Sequence, residues 1–268
     1  MTRFLLTTRL VVFACENEGV TFASPRTLYR RLNKLRKAGL IERSRLLHTG
    51  EYGYHLTKQG EELITGLDDT VHQSHRSCAA PSITLQAHEF DVSRFWLKFF
   101  SDSKKLHIPT RDFWRDGSFI YEITPKQKLI PDGTVVLTIK GRSRVFFLEL
   151  DRSTQTSGRG GNTSAIIRQK LARYRHLSRS YRNHPQLSSY HPQSMRVMFV
   201  CKTQQRAQSL LAVARDMGLG DVVCFTSLDR FLTILDPFTA QGWEYCSANI
   251  FAAPLFLYPA RSPPQSLL

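Results

Sequence analysis

Apolar and basic positions recur with helical periodicity near the N-terminus, in the segment SPRTLYRRLNKLRKAGLIER that starts at residue 24. Ser24 is a typical N-cap, Pro25 suits the first helical position, and Gly39 ends the helix. Basic residues occupy the faces that the apolar spacing leaves over. The pattern predicts a helix with a buried stripe made of Leu28, Leu32 and Leu35.

The periodicity changes from helical to alternating after this helix. A basic stretch through Ser44 leads to a turn that contains Gly50, after which Tyr52, Tyr54 and Leu56 alternate with polar residues. This pattern predicts a β-hairpin, and the run LTKQGEELI that follows begins a closing helix. We therefore expect a small module over residues 1–66.

The rest of the chain predicts a larger α/β domain. Residues 67–83 are polar, contain Pro81 and indicate a linker. A helix then starts near Leu85, weak strand signals follow in SFIYEIT, and two clear strands, KLIPDGTVVLTI and RVFFLELD, flank a turn at 140–143. A helix from Ser164, the strand MRVMFVCK, a second helix, the strand VVCFTS and a last helix come next. This order predicts a mixed sheet with helices on both faces over residues 84–236, and a partly disordered tail with one short edge strand over 237–268.

The excess of positive charge in the chain indicates what kind of partner the protein binds. The net charge is +15 and the pI near 9.9, with an ordinary hydrophobic content of 41%. Such a surface favours a polyanionic partner, and Lys and Arg that neutralise phosphates supply most of the non-specific affinity for nucleic acid. The alternative is that the basic helix face is merely solvated. The cations that we expect to contact double-stranded DNA are Arg26, Arg30, Arg31, Lys34, Lys37, Arg43, Arg45, Arg152, Arg159, Arg168 and Arg173.

Cysteine usage and hydropathy bear on location. The five cysteines lie far apart and include no CxxC pair, which argues against a disulfide framework and a cysteine-rich zinc site. No stretch is long and apolar enough to span a bilayer. We expect a cytoplasmic protein that does not insert into membranes.

Acidic residues near two strand ends form the one constellation that could carry chemistry. Asp132 lies at the head of the first clear strand, and Glu149 and Asp151 share one face near the end of the second. They would meet if the first strand bends at Asp132, and carboxylates gathered in this way suit Mg²⁺. Alternatively, Asp132 is an ordinary turn residue, the other two are a solvated strand end, and Lys170 is an exposed helix lysine.

The acidic motif resembles the PD-(D/E)xK restriction-endonuclease-like fold: PDG, then ELD, then a helix with Gln169, Lys170 and Tyr174. The resemblance implies that Asp132 and Glu149 hold Mg²⁺ and that a lysine two residues after the Glu activates water. Asp151 stands in that place. Lys170 would then supply the cation, or Asp151 would be a third metal ligand, or the site is inactive.

The N-terminal order of basic helix, AGLIER, hairpin and YHLTKQGEEL resembles winged helix-turn-helix domains over about residues 7–66. The resemblance implies that the basic helix enters the major groove and that the hairpin touches the backbone. Such domains usually carry a further helix before this point, for which the residues after Met1 leave little room. Winged helices also serve as dimerisation modules, so the sequence leaves open whether the protein forms a homodimer.

The whole succession, with HEFDV, PDG, LELDRST and KLARY in order, resembles the replication-relaxation family of bacterial plasmids and mobile elements over about residues 7–235. The resemblance implies a DNA-binding protein that acts in replication, mobilisation or transposition of such an element. Two hypotheses follow: a DNA-binding protein with Mg²⁺-dependent cleavage, or a non-catalytic regulator or accessory factor that recruits a relaxase, replication initiator or transposase.

Overall fold

The computed structural model describes residues 6–46, 50–67, 83–115, 117–152, 163–234 and 243–245. It combines helices with a mixed sheet, so the predicted α/β class is confirmed. The chain divides into two compact units, Met1–Ser101 with Trp114–Ser118, and Asp102–Phe113 with Phe119–Leu268. Most of the predicted linker and most of the predicted tail lie outside the described residues, and the predicted domain limits stay a prediction.

The first unit builds a small antiparallel sheet against helices. Its elements are β1 (Leu6–Thr7), α1 (Thr8–Asn17), α2 (Pro25–Lys37), β2 (Ile41–Arg45), β3 (Tyr52–Leu56), α3 (Lys58–Leu67) and most of α4 (Ile83–Lys105). β3 lies between β1 and β2 and is antiparallel to both. The predicted basic helix, hairpin and closing helix are therefore present. The expectation of little room for an earlier helix was wrong, because α1 begins directly after β1, where Thr7 accepts a hydrogen bond from the amide of Leu10.

Packing of two leucines orients α2 within this unit. Ser24 caps the helix by accepting a hydrogen bond from the amide of Thr27, as predicted. Leu28 and Leu32 are buried with Ile41 and Tyr54. Leu35 is 41% exposed, so its predicted place in the buried stripe was wrong. The core cluster takes in Leu28 and Leu32 but not Leu35, which lies one turn after Leu32 along the helix.

The second unit is built on a six-stranded mixed sheet. Its elements are β4 (Thr110–Arg115, whose last two residues fall in the first unit), β5 (Tyr121–Thr124), β6 (Gln127–Leu129), β7 (Gly133–Ile139), β8 (Arg142–Asp151), α5 (Thr163–Ser180), α6 (Pro185–Ser188), β9 (Ser194–Cys201), α7 (Gln204–Asp216), β10 (Val223–Ser227), α8 (Leu228–Thr233) and β11 (Glu244–Tyr245). The strand order is β11-β10-β9-β8-β7-β4, with β8, β9 and β10 parallel, β7 antiparallel to β8, and β11 antiparallel to β10. The predicted mixed sheet and short edge strand are confirmed. β4 was not predicted, and the predicted strand KLIPDGTVVLTI is in fact β6 and β7, which belong to different sheets.

The β7–β8 hairpin is more regular than predicted. Its strands are joined by two residues, Lys140 and Gly141, at φ of 50° and 73°, rather than by a four-residue turn. Gly133 is in register with Leu148, and the amide of Asp132 donates to the Leu148 carbonyl at 3.0 Å. The expected bend at Asp132 is present, directly before β7, and the register of the hairpin brings Asp132 beside Glu149.

Gly60 of α3 offers a test of the packing in the first unit. A Cβ atom at this position would lie 2.0 Å from the backbone oxygen of Leu40, whereas one at Gly66 in the same helix would meet nothing within 4 Å. We expect Gly60→Ala to lower the free energy of unfolding by about 1–3 kcal/mol or more, because backbone must move to relieve the clash. Gly66→Ala should raise it by up to about 1 kcal/mol through helix propensity. Urea denaturation followed by circular dichroism measures both, and equal effects would contradict this packing.

Candidate functional site

The side of α2 opposite Leu28 and Leu32 forms a continuous polar surface, which we call the outer face of α2. Its residues are Arg26, Arg30, Asn33, Lys34 and Lys37. All five are exposed, and together with Ser24, Thr27 and Tyr29 they line an open groove. Arg31, also predicted to contact DNA, lies elsewhere: its guanidinium carbon is 5.5 Å from the centre of the Phe22 ring, on the flank of the helix.

The outer face carries positive charge that the helix itself does not balance. α2 contains six cations and no Asp or Glu among its 13 residues. Cations four residues apart, such as Arg26 and Arg30 or Arg30 and Lys34, repel each other by a few tenths of a kcal/mol per pair. An anion placed along this face would relieve that repulsion.

The two predicted cations of the hairpin lie on β2 and are exposed. The guanidinium carbon of Arg43 lies 4.2 Å from the centre of the Tyr52 ring, a cation–π contact that orients it. Arg45 is in register with Tyr52 at the end of the strand. The hairpin thus presents two further positive charges in the same unit as α2.

Three of the predicted site residues of the second unit come together around β8. Glu149 accepts a short hydrogen bond from Lys170 of α5 through Oε2, and one from the hydroxyl of Tyr174 through Oε1 at 2.5 Å. Asp132 accepts a hydrogen bond from the amide of Leu150 at 2.7 Å, and its charge acts on both Glu149 and Lys170. The prediction that Lys170 brings the cation from the following helix is consistent with this geometry.

Burial dominates the electrostatics of this cluster. The Glu149 side chain is only 2% exposed, and burial raises its pKa to about 7 against the opposing effect of Lys170. For Lys170, whose side chain is 35% exposed, burial acts to lower the pKa, but Glu149 and Asp132 outweigh burial and raise it. Burial, together with Glu149, raises the pKa of Tyr174 well above 10. Of these three groups, Glu149 is therefore the one whose charge changes near neutral pH.

Asp151 faces a different partner. Its Oδ2 atom accepts a hydrogen bond from Nε of Arg206, on α7, at 2.8 Å. Burial and the charge of Asp151 raise the pKa of the neighbouring Cys201 thiol to about 12, against the effect of Arg206. Within the described ranges, no group of three or more His, Cys, Asp and Glu is placed to hold a metal ion.

The remaining predicted cations of this unit are spread out. Arg168 pairs with Asp216 at 3.4 Å, and Arg173 donates to the Lys128 carbonyl at 3.1 Å. Arg152 is partly buried at the end of β8, and Arg159 lies outside the described residues. Their contact with DNA stays a prediction.

The sequence pattern predicted no role for two residues of the site, Tyr174 and Arg206. Tyr174 carries a signal in retrospect, because it stands four residues after Lys170 and so shares its side of α5. Arg206 carries none, since it is 55 residues from Asp151 and meets it only through the parallel pairing of β8 with β9.

The raised pKa of Glu149 predicts how stability depends on pH. Its value of about 7 in the folded chain exceeds the ordinary 4.5, so its protonated form contributes stability that is fully present below pH 4.5 and lost as pH rises through 7. The free energy of unfolding of the wild type, relative to Glu149→Gln, should fall by up to about 3 kcal/mol between pH 4.5 and 8.

Urea denaturation at several pH values tests this, with Glu122→Gln as the control because Glu122 is an exposed glutamate that also pairs with a lysine. The assignment is wrong if the wild type and Glu149→Gln show the same pH dependence.

Comparison with known proteins places this arrangement in a family. The family model described as replication-relaxation matches residues 3–188. No curated protein and no solved structure matches the chain. Of the helices in the described part of the chain, none is long and apolar enough to cross a membrane. The chain belongs to the replication-relaxation family, which associates it with the replication or relaxation of a plasmid or mobile element.

Proposed function

We propose that this protein binds double-stranded DNA of a bacterial plasmid or mobile element through a winged helix-turn-helix formed by residues 6–67. The outer face of α2 is the observation that carries the proposal, because it is exposed, cationic and free of carboxylates. In this proposal α1 and α2 form the helix-turn-helix, and β2 and β3 form the wing.

The size and charge of the outer face suit a DNA groove. An α-helix with its side chains is about 10–12 Å across, and the major groove of B-DNA is about 12 Å wide. Arg43 and Arg45 on the wing would then lie along the adjoining phosphates. A merely solvated helix explains the exposure of this face but not the lack of any acidic residue in α2, since soluble helices usually mix both signs of charge.

Removal of the outer-face charges tests the proposal. We expect Arg26→Ala, Arg30→Ala and Lys34→Ala, combined in the full chain, to weaken duplex binding roughly 100-fold near 100 mM salt. The slope of log affinity against log salt should become shallower by about 2 to 3, since each lost phosphate contact removes about one. Fluorescence anisotropy with a labelled duplex measures both quantities.

The matched control removes the same charge elsewhere. Lys104, Lys126 and Lys202 are exposed residues of the second unit, and their combined replacement by Ala should change affinity by much less. Equal weakening by both triple variants would show a diffuse charge effect. Unchanged binding in the α2 variant would point to a winged helix that contacts protein, as in a dimer, and would refute the proposal.

A non-catalytic accessory role is the second candidate, and the pairing of Glu149 and Asp151 with cationic side chains favours it. Asp132 and Glu149 offer the oxygen ligands that Mg²⁺ prefers. However, both oxygens of Glu149 already accept hydrogen bonds, from Lys170 and Tyr174, and Asp151 is paired with Arg206. As arranged, these residues do not fit a bound Mg²⁺. We therefore favour a second unit with a restriction-endonuclease-like design that supports the binding of DNA, or of a relaxase, replication initiator or transposase, without cutting.

A cleavage assay separates the non-catalytic role from Mg²⁺-dependent cleavage of DNA. The purified chain is incubated with supercoiled, linear and single-stranded DNA in Mg²⁺, Mn²⁺ or chelator, alongside Asp132→Ala. We expect salt-sensitive binding that is indifferent to Mg²⁺, and no cleavage by either protein. Nicking that requires metal and disappears in Asp132→Ala would instead establish the cluster as a nuclease site.

A further inference from the structure

Asn33 differs in kind from the other members of the outer face of α2. Arg26, Arg30, Lys34 and Lys37 carry charge, whereas Asn33 offers an amide, the only one in this helix. It is exposed and lines the same groove as these cations. Asn is also a poor helix former in a helix interior, because its side chain competes with the backbone for hydrogen bonds. Helix stability therefore does not account for its presence.

The chemistry of an amide suits one base in particular. Phosphates are bound by cations without reference to sequence, but an Asn amide has a donor and an acceptor side by side. That pair matches N7 and the N6 amino group of adenine in the major groove, and an arginine fork matches O6 and N7 of guanine. Asn33 and Arg30 thus place, on one face of α2, a side chain suited to adenine and a side chain suited to guanine.

The spacing of these two residues suits neighbouring base pairs. Positions 30 and 33 lie on the same side of α2 and are about 4.5 Å apart along the helix axis. Base pairs rise by about 3.4 Å, so the two side chains can reach adjacent steps. Lys34 lies to one side of this line, and Lys37 continues the line to the last residue of the helix. In the proposed complex both are close enough to the rim of the groove to reach phosphates.

We infer that Asn33 is a specificity-determining residue that reads an adenine, next to a guanine read by Arg30, while Lys34 and Lys37 hold the backbone. The inference rests on the proposed binding of duplex DNA by α2 and adds which base pairs the helix selects. It also divides the outer face into base-reading and phosphate-binding residues. The two groups respond differently to substitution.

Selection from a pool of random duplexes by the full chain tests the inference. The wild type should enrich a site that contains adjacent G·C and A·T pairs. Asn33→Ala should lose the preference for A·T at one position by roughly 10- to 100-fold, and keep its affinity for unselected DNA within about twofold. Ala is a better helix former than Asn, so this variant keeps the helix.

Lys34→Ala is the matched control, one residue away on the same face. It should weaken binding to all sequences alike, leave the selected site unchanged and make the salt dependence shallower by about one. An unchanged site in Asn33→Ala, or salt-sensitive wild-type binding with no preference at all, would overturn the inference while leaving the proposed function in place. Loss of all duplex binding by the wild type would instead refute the proposed function and the inference with it.

Discussion

Burial of Leu28 and Leu32 sets the rotation of α2 about its own axis. These side chains pack on Ile41 and Tyr54, so the opposite side of the helix must face solvent. Turning the helix by one residue would place a charged side chain in this apolar core, at a cost of several kcal/mol. The two leucines therefore determine that the outer face presents cations and one amide in a fixed order. The proposed mode of DNA binding depends on that arrangement.

In the second unit a buried carboxylate, that of Glu149, holds a helix in place, as Leu28 and Leu32 do in the first unit. Glu149 lies on a central strand, where an ion without partners would be costly. Lys170 and Tyr174, one helical turn apart, both bond to it and so tie α5 to the sheet. The same geometry brings Asp132, Glu149 and Lys170 together, as the resemblance to nucleases implied, but both oxygens of Glu149 are engaged by Lys170 and Tyr174. Structural support of the sheet and the nuclease-like pattern thus arise from the same contacts.

Signals carried by residues close together in the sequence predicted most of the helices and strands. Features that depend on distant parts of the chain were missed. Ser24, Pro25 and Gly39 mark the limits of α2 because caps and glycine act within a few residues. The strands β7 to β10 were recognisable as apolar runs. β4 has mixed polarity and takes its place only at the edge of the sheet, and Arg206 reaches Asp151 only once β8 and β9 are paired. The exposure of Leu35 likewise depends on where the core ends, which helical spacing does not encode.

Lysine reactivity in the unmodified protein tests most directly whether the outer face of α2 contacts DNA. The full chain is acetylated under conditions that modify about one lysine per molecule, with and without a saturating duplex, and each site is quantified by mass spectrometry. If the account is correct, Lys34 and Lys37 lose reactivity when DNA is bound, whereas Lys104 and Lys126 of the second unit change much less. Full reactivity of Lys34 and Lys37 in the bound complex would contradict it.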